Sequence, residues 1–260
     1  MNFTLIGTGF IMPRHASSIH RVGGKIIDVV NTAYGKDTWK NVIKNTSAEY
    51  IVILGPNDLH LDMLRLAVDS GKKVLCEKPL GISSQGIEPF LGRKDVFTVL
   101  QLRYHPLVQK MKEVRDSSDH LTVDMDISVY RDPHYYSSWK GQRERSGGVL
   151  FNLGIHYFDL LLNVFGKPHT VRTKFLDDKT GEGNFIGEKY KCNWRVSTDE
   201  KRESQRRIFK VNGIDFNFSS QDNLSYEDLH VLVYKDMLNG EGVFPDEAIK
   251  SVQFVEKLYI

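Results

Sequence analysis

Cysteine is nearly absent from this chain. The two that occur, Cys76 and Cys192, lie far apart in strand-like runs, which excludes a disulfide framework and a clustered-cysteine zinc motif. An excess of charge of one sign is missing too. With 35 basic and 33 acidic residues the net charge is +2, and no polyanion-binding surface is implied. The densest basic stretches, Lys140–Arg145 and Lys201–Arg207, are interrupted by acids and amides and read as solvated loops rather than a nucleic-acid footprint. Long apolar runs are lacking, so no membrane span is expected. The opening Met-Asn-Phe-Thr-Leu-Ile-Gly leads directly into a strand and a glycine turn, without the pattern of a signal peptide. Neither internal repeats nor low-complexity segments occur. A soluble cytoplasmic protein, with neither nucleic acid nor membrane as partner, is the expectation.

What is present is enough apolar residue, 40% of 260, to build one large core or two ordinary ones. Apolar strands at Phe3–Ile6, Lys25–Asn31, Tyr50–Leu54, Val74–Cys76 and Val96–Gln101 alternate with helical patterns, including one to Ser70 and one to about Arg93. This alternation predicts a parallel, doubly wound sheet over residues 1–102. The pattern then changes. Half-exposed alternating strands at Leu121–Tyr130, Thr170–Phe175, Tyr190–Val196, Ile208–Val211 and Ile214–Phe218 surround a long helix at Gly147–Leu162, and two helices close the chain. Residues 103–260 are therefore expected to form a second α/β domain with an open, mostly antiparallel sheet.

The stretch Val74-Leu75-Cys76-Glu77-Lys78-Pro79 places a Glu-Lys pair at a strand's carboxyl end, because Pro79 offers no amide to continue a ladder. Ligands of open α/β sheets bind at that edge. Lys78 is thus a candidate for proton transfer, the plain alternative being a solvated ion pair at a strand exit. After the first strand, Gly7-Thr8-Gly9-Phe10-Ile11 precedes a helix beginning near Pro13. Gly7 suits a tight turn and Gly9 lets the backbone approach a pyrophosphate. Met12 stands where the fingerprint has its third glycine. At the end of the second strand Asn31 stands where an acid usually holds the adenosine ribose, which leaves NAD against NADP open. In the long helix Asn152, His156 and Asp159 fall at i, i+4 and i+7 on one face, as either a satisfied buried network or a site wall. A zinc site from His156 and Cys76 lacks any motif spacing.

Together the segments at 6–15, Gly55–His60, Cys76–Leu80 and Gly147–Asp159 resemble the glucose-fructose oxidoreductase/inositol dehydrogenase (Gfo/Idh/MocA) family over nearly the whole chain. Asn152, Pro13-Arg14-His15, Leu100–His105 and Ser138–Gly141 look like that family's UDP-N-acetylglucosaminuronate (UDP-GlcNAcA) 3-dehydrogenases, which oxidise a sugar C3 hydroxyl with NAD for surface polysaccharide, such as the O-antigen of lipopolysaccharide. The resemblance implies Lys78 and His156 as the proton-transfer pair. It implies a cofactor site of Gly7, Thr8, Gly9, Phe10, Ile11, Asn31, Pro56, Asn57, His60, Glu77, Lys78 and Gln101. Arg103, Trp139, Lys140 and Asn152, with Lys78 and His156, would meet a nucleotide-sugar substrate, and no metal is implied. A dimer or tetramer through the second sheet is expected. A free-sugar or cyclitol dehydrogenase and a non-catalytic dinucleotide or sugar sensor are the competing readings.

Overall fold

Apolar strands too short to bury both faces alone must stack side by side, and the chain does so twice. The computed structural model describes residues 1–33, 35, 37–219 and 226–260, with the backbone alone at 226 and 227. It runs β1 (Asn2–Ile6), α1 (Met12–Arg21), β2 (Lys25–Val30), α2 (Thr38–Asn45), β3 (Tyr50–Ile53), α3 (His60–Asp69), β4 (Lys73–Cys76), β5 (Val96–Thr98) and α4 (Pro106–Asp116). There follow β6 (Leu121–Ser128), the short α5 (Pro133–Ser137) and α6 (Arg143–Ser146), α7 (Ile155–Phe165), β7 (Thr170–Leu176), β8 (Thr180–Ile186) and β9 (Tyr190–Ser197). The chain closes with β10 (Arg206–Val211), β11 (Ile214–Asn217), α8 (Tyr226–Leu238) and α9 (Pro245–Leu258).

Two compact units result. The first comprises Met1–Gln101 with the described part of Leu224–Lys250, and the second Leu102–Asn223 with Ser251–Ile260. The break after Gln101 falls beside the expected one. An uninterrupted second domain over 103–260 does not form, because α8 returns to the first unit and lays Tyr234 against Phe3.

In the first unit five parallel strands take the order β2-β1-β3-β4-β5. Their last residues are in register: Ile6 lies beside Val30 and Ile53, Ile53 beside Cys76, and Cys76 beside Thr98. Central β3 is buried throughout. Edge strand β2 is mostly half-exposed, since only one long side of it is paired. Between β2 and β3 the described chain forms only α2, so β2 stays at the edge. Asp37 sits at the N-cap position of α2 and pairs with Lys40 at 2.7 Å. Two helical expectations are corrected. A 3-10 turn at Asn57–Leu59 precedes α3, and in place of a helix up to Arg93 the chain makes turns around a 3-10 helix at Glu88–Phe90.

The second unit holds a six-stranded sheet, β11-β10-β6-β9-β8-β7, antiparallel except for the β6–β9 pair. Strand β8, Thr-Gly-Glu-Gly-Asn-Phe-Ile, was not among the expected strands. Asn212 and Gly213, both at positive φ, turn the β10–β11 hairpin. Phe158 of α7 packs edge-on to Phe185, Trp194 and Phe254, joining the helix to the sheet and to α9. By composition the stretch Arg143–Phe165 is long and apolar enough to cross a membrane, contrary to the expectation from apolar runs. Yet 67% of its most apolar window is buried inside the fold.

Candidate active site

Because the strands of the first unit end in register, the residue after each one is delivered to a single edge. Gly7 follows β1, Asn31 follows β2, Glu77 and Lys78 follow β4, and Gln101 lies just beyond β5. Gly7 has φ 123° and donates its amide to the Val30 carbonyl at 2.8 Å; a Cβ there would lie 2.6 Å from the Leu54 carbonyl oxygen. Only glycine fits such a position. Gly9 is different, with no atom within 4 Å of where its Cβ would be. Thr8 and Gly9 are exposed, Phe10 is 72% exposed, and Ile11 is half-buried at the N-terminus of α1, whose first turn holds no acid. An open loop before an uncompensated helix N-terminus fits a dinucleotide pyrophosphate. Gln101 adds a second observation: its buried Oε1 has no hydrogen-bond partner among the described residues, and it offers an acceptor on the same edge. Asn31 uses its Oδ1 to accept from the Ala33 amide at 2.8 Å, which holds the turn after β2. Asp28 is tied within the unit by Thr46 at 2.6 Å and Thr4 at 3.3 Å.

Lys78 is half-buried and begins a cis Lys78–Pro79 bond. Its amide donates to Glu77 Oε2 at 3.2 Å. Fully buried His60 braces the turn, with Nδ1 2.7 Å from the Pro79 carbonyl and Nε2 3.0 Å from the Gly55 carbonyl. Burial outweighs these carbonyls and holds His60 below its ordinary titration range. His60 therefore clamps the turn after β3 to the turn after β4, lying between the two carbonyls with its neutral ring donating to one of them. Pro56 and Asn57 are buried within the clamped turn. Glu77 is engaged from within the unit. Its Oε1 accepts from His15 at 2.9 Å and lies 3.8 Å from His230, so the carboxylate is engaged by α1 and α8.

In the second unit, Asn152 belongs to a π-turn over Leu150–Gly154 that leads into α7. Such turns break the regular helical spacing and recur at functional sites. Asn152, His156 and Asp159 each have neighbours of their own. Asn152 Nδ2 donates to the Tyr135 hydroxyl at 2.7 Å, and half-buried His156 lies edge-on to Tyr157. Asp159 accepts two 2.8 Å bonds from Arg103 and one of 2.6 Å from Ser251. One edge of the Arg103 guanidinium is thus committed to a buried carboxylate rather than to a substrate. Lys140 and Trp139 occupy a 3-10 turn capped by Ser138. The Lys140 ammonium lies 5.8 Å from the Tyr135 ring centre and Arg131 lies 5.3 Å from the same ring. Burial first, and then Arg131, push Lys140 below its ordinary value, while burial raises Tyr135. Arg131 and Tyr135 were not predicted, since neither stands in a recognisable motif. Here they bring a second cation and an aromatic ring to Lys140 and Asn152.

An open glycine loop on a parallel sheet, followed by a lysine turn and joined to a second α/β unit, defines a dinucleotide-dependent oxidoreductase architecture. Comparison with known proteins agrees. Residues 1–91 match the model described as oxidoreductase family, NAD-binding Rossmann fold, and residues 120–203 match the same family's C-terminal alpha/beta domain. The chain belongs to the Gfo/Idh/MocA oxidoreductase family. Among curated relatives, an uncharacterized oxidoreductase from Synechocystis sp. is 27% identical over 66% of this chain and 53% of its own length. The scyllo-inositol 2-dehydrogenase (NADP(+)) of Bacillus subtilis is 24% identical over 51% of this chain and 39% of its own. The chain thus spans about half the length of such relatives or less. The WlbA (WbpB) dehydrogenase from Thermus thermophilus, solved with NAD and UDP-GlcNAcA, superposes with a TM-score of 0.86 at 28% identity, covering 100% of this chain and 95% of that one. The same enzyme has been solved with NAD and alpha-ketoglutarate.

Proposed function

We propose that this protein is an NAD-dependent dehydrogenase that oxidises the C3 hydroxyl of a UDP-N-acetylglucosaminuronate-type nucleotide sugar to a ketone, in the biosynthesis of a surface polysaccharide. The observation that carries the substrate class is the cluster of Arg131, Lys140, Tyr135 and Asn152, two cations and an aromatic ring beside a fixed amide. Such a set suits an anionic sugar with a uronate or a diphosphate. Full-length likeness to a dehydrogenase solved with UDP-GlcNAcA supports the same reading.

When bound, NAD supplies the hydride acceptor. Gly7–Ile11 and the α1 N-terminus would hold its pyrophosphate, and Gln101 would offer an acceptor to a polar group on the cofactor. Lys78 and His156 would hold and take up the hydroxyl proton of the alcohol. A histidine titrates in the working range, and an ammonium can polarise the hydroxyl. Tyr135 holds Asn152 toward the sugar. Assembly into a homodimer or homotetramer through the six-stranded sheet is part of the proposal.

The test incubates the protein with UDP-GlcNAcA and alpha-ketoglutarate, with and without NAD, and follows the sugar nucleotide by mass spectrometry. A product lighter by two hydrogens, lost in Lys78→Met and in His156→Asn, is expected. NAD binding without product would move the substrate to another sugar. Absence of dinucleotide binding would overturn the dehydrogenase reading.

A further inference from the structure

The Glu77 carboxylate is buried on a unit that gives it more partners than an ion pair at a strand exit needs. His15 of α1 points Nε2 at Glu77 Oε1 at 2.9 Å, and its Nδ1 lies 2.9 Å from the Tyr234 hydroxyl of α8. His230, one turn before Tyr234 on α8, lies 3.8 Å from the same carboxylate oxygen and edge-on to His15, ring centres 5.1 Å apart. His15 and His230 are wholly buried. The other carboxylate oxygen accepts the Lys78 amide.

Proton positions follow from donor and acceptor chemistry. Burial opposes the Glu77 charge, but His15 and His230 outweigh it and hold the carboxyl well below its ordinary range. An ionised carboxylate only accepts, so His15 Nε2 carries the proton. Burial keeps His15 neutral against the pull of Glu77. Its Nδ1 is then an acceptor, and the Tyr234 hydroxyl, itself held protonated by burial, donates to it. The groups facing this set are Arg14 on α1, Cys76 on β4, and His60 and Lys78 on the clamped turns.

We propose that Tyr234, His15 and Glu77, flanked by His230, form a buried relay of positioning residues that fixes the backbone of Lys78 and keeps a negative charge beside it. The relay rests on Lys78 being the proton-transfer residue of the dehydrogenase reading. Potential ligand atoms of His15, Glu77 and His230 also lie within 4.8 Å of one another, as the ligands of a metal would. The hydrogen-bond pattern favours the relay, because the His15 nitrogen that would ligate already donates to the carboxylate.

Lysines reductively methylated with a carbon-13 label report the titration of Lys78 by NMR, its resonance being the one missing in Lys78→Arg. Loss of the neighbouring anion in Glu77→Gln, or of its donor in His15→Leu, is expected to lower the pH at which Lys78 titrates by about one unit. His15→Gln can still donate to Glu77 and accept from Tyr234, and is expected to restore the wild-type titration. In turnover, His15→Leu should lower kcat by on the order of ten- to a hundredfold with KM little changed. If His15→Leu does not fold, Tyr234→Phe carries the same measurement, with a smaller shift in the same direction expected. An unmoved Lys78 resonance in the folded variants overturns the relay, as does a stoichiometric zinc ion in wild type that His230→Gln removes. Displaced Lys78 titration in a protein that turns over no sugar would leave the relay standing and sink the dehydrogenase reading.

Discussion

Asp159 is 2% exposed at its side chain and is held by Arg103 in a two-point pair and by Ser251. Removing one partner of such a pair strands the other charge away from water. Asp159→Ala is therefore expected to destabilise the second unit by about 3–5 kcal/mol, measured by urea unfolding. Arg103→Lys keeps the charge but loses the two-point geometry, and should cost less. A wild-type midpoint in Asp159→Ala would show that the pair is not structural. The same residues show what a sequence reveals at this scale. Lys78 was legible because proline and an apolar run fix its place at a strand end. The pairing of Arg103 with Asp159 was not legible, because the two lie 56 positions apart and no local pattern announces it. The protein partners of Glu77 and His60 are hidden for a related reason: they come from turns and helices distant in sequence.

At the scale of elements, the loop after β1 separates two glycines by function. A Cβ at Gly7 would strike the Leu54 carbonyl oxygen, whereas at Gly9 it would meet open space. Gly7→Ala is expected to lower stability by about 2 kcal/mol or more, since both strain and overlap oppose it. Gly9→Ala should leave the melting temperature nearly unchanged and weaken NADH binding on the order of tenfold, seen by fluorescence titration. Equal dinucleotide affinity in Gly9→Ala would remove that loop from the cofactor site. Strands and the main helices were legible from period and length. Strand β8 was not, because its two glycines and single phenylalanine leave hardly any alternation to read. The expected helix up to Arg93 failed where Gly86, Pro89 and Gly92 interrupt it, leaving turns around one short 3-10 helix. The π-turn before α7 was also hidden, because no residue pattern marks the change from regular helical spacing at Leu150–Gly154.

At the scale of the whole molecule, the return of α8 to the first unit is what sequence order concealed. The pairing of His15 with Tyr234 spans 219 positions, and periodicity carries no information at that distance. The buried groups so assembled set a pH dependence. His15 and His60 titrate below the ordinary histidine value of 6.5 in the folded protein. As pH falls below 6.5 the unfolded chain takes up protons that the folded one refuses, so stability falls on acidification. Glu77 acts in the same direction below 4.5, where the unfolded carboxyl protonates and the folded one stays ionised. The melting temperature should drop on going from pH 7 to pH 5 by on the order of a few degrees, and a His15→Gln/His60→Gln double variant should flatten that slope. A slope unchanged in the double variant would place the titrating groups elsewhere. The central claim, hydride removal from a sugar C3 position by this chain, is tested most directly with a label. UDP-GlcNAcA carrying deuterium at C3 is incubated with the protein and NAD, and the reduced cofactor is analysed by mass spectrometry. Deuterium in the nicotinamide ring, absent in Lys78→Met, is the predicted result. Reduced cofactor without deuterium would contradict oxidation at C3, and unreduced cofactor in a protein that binds both ligands would contradict the dehydrogenase account.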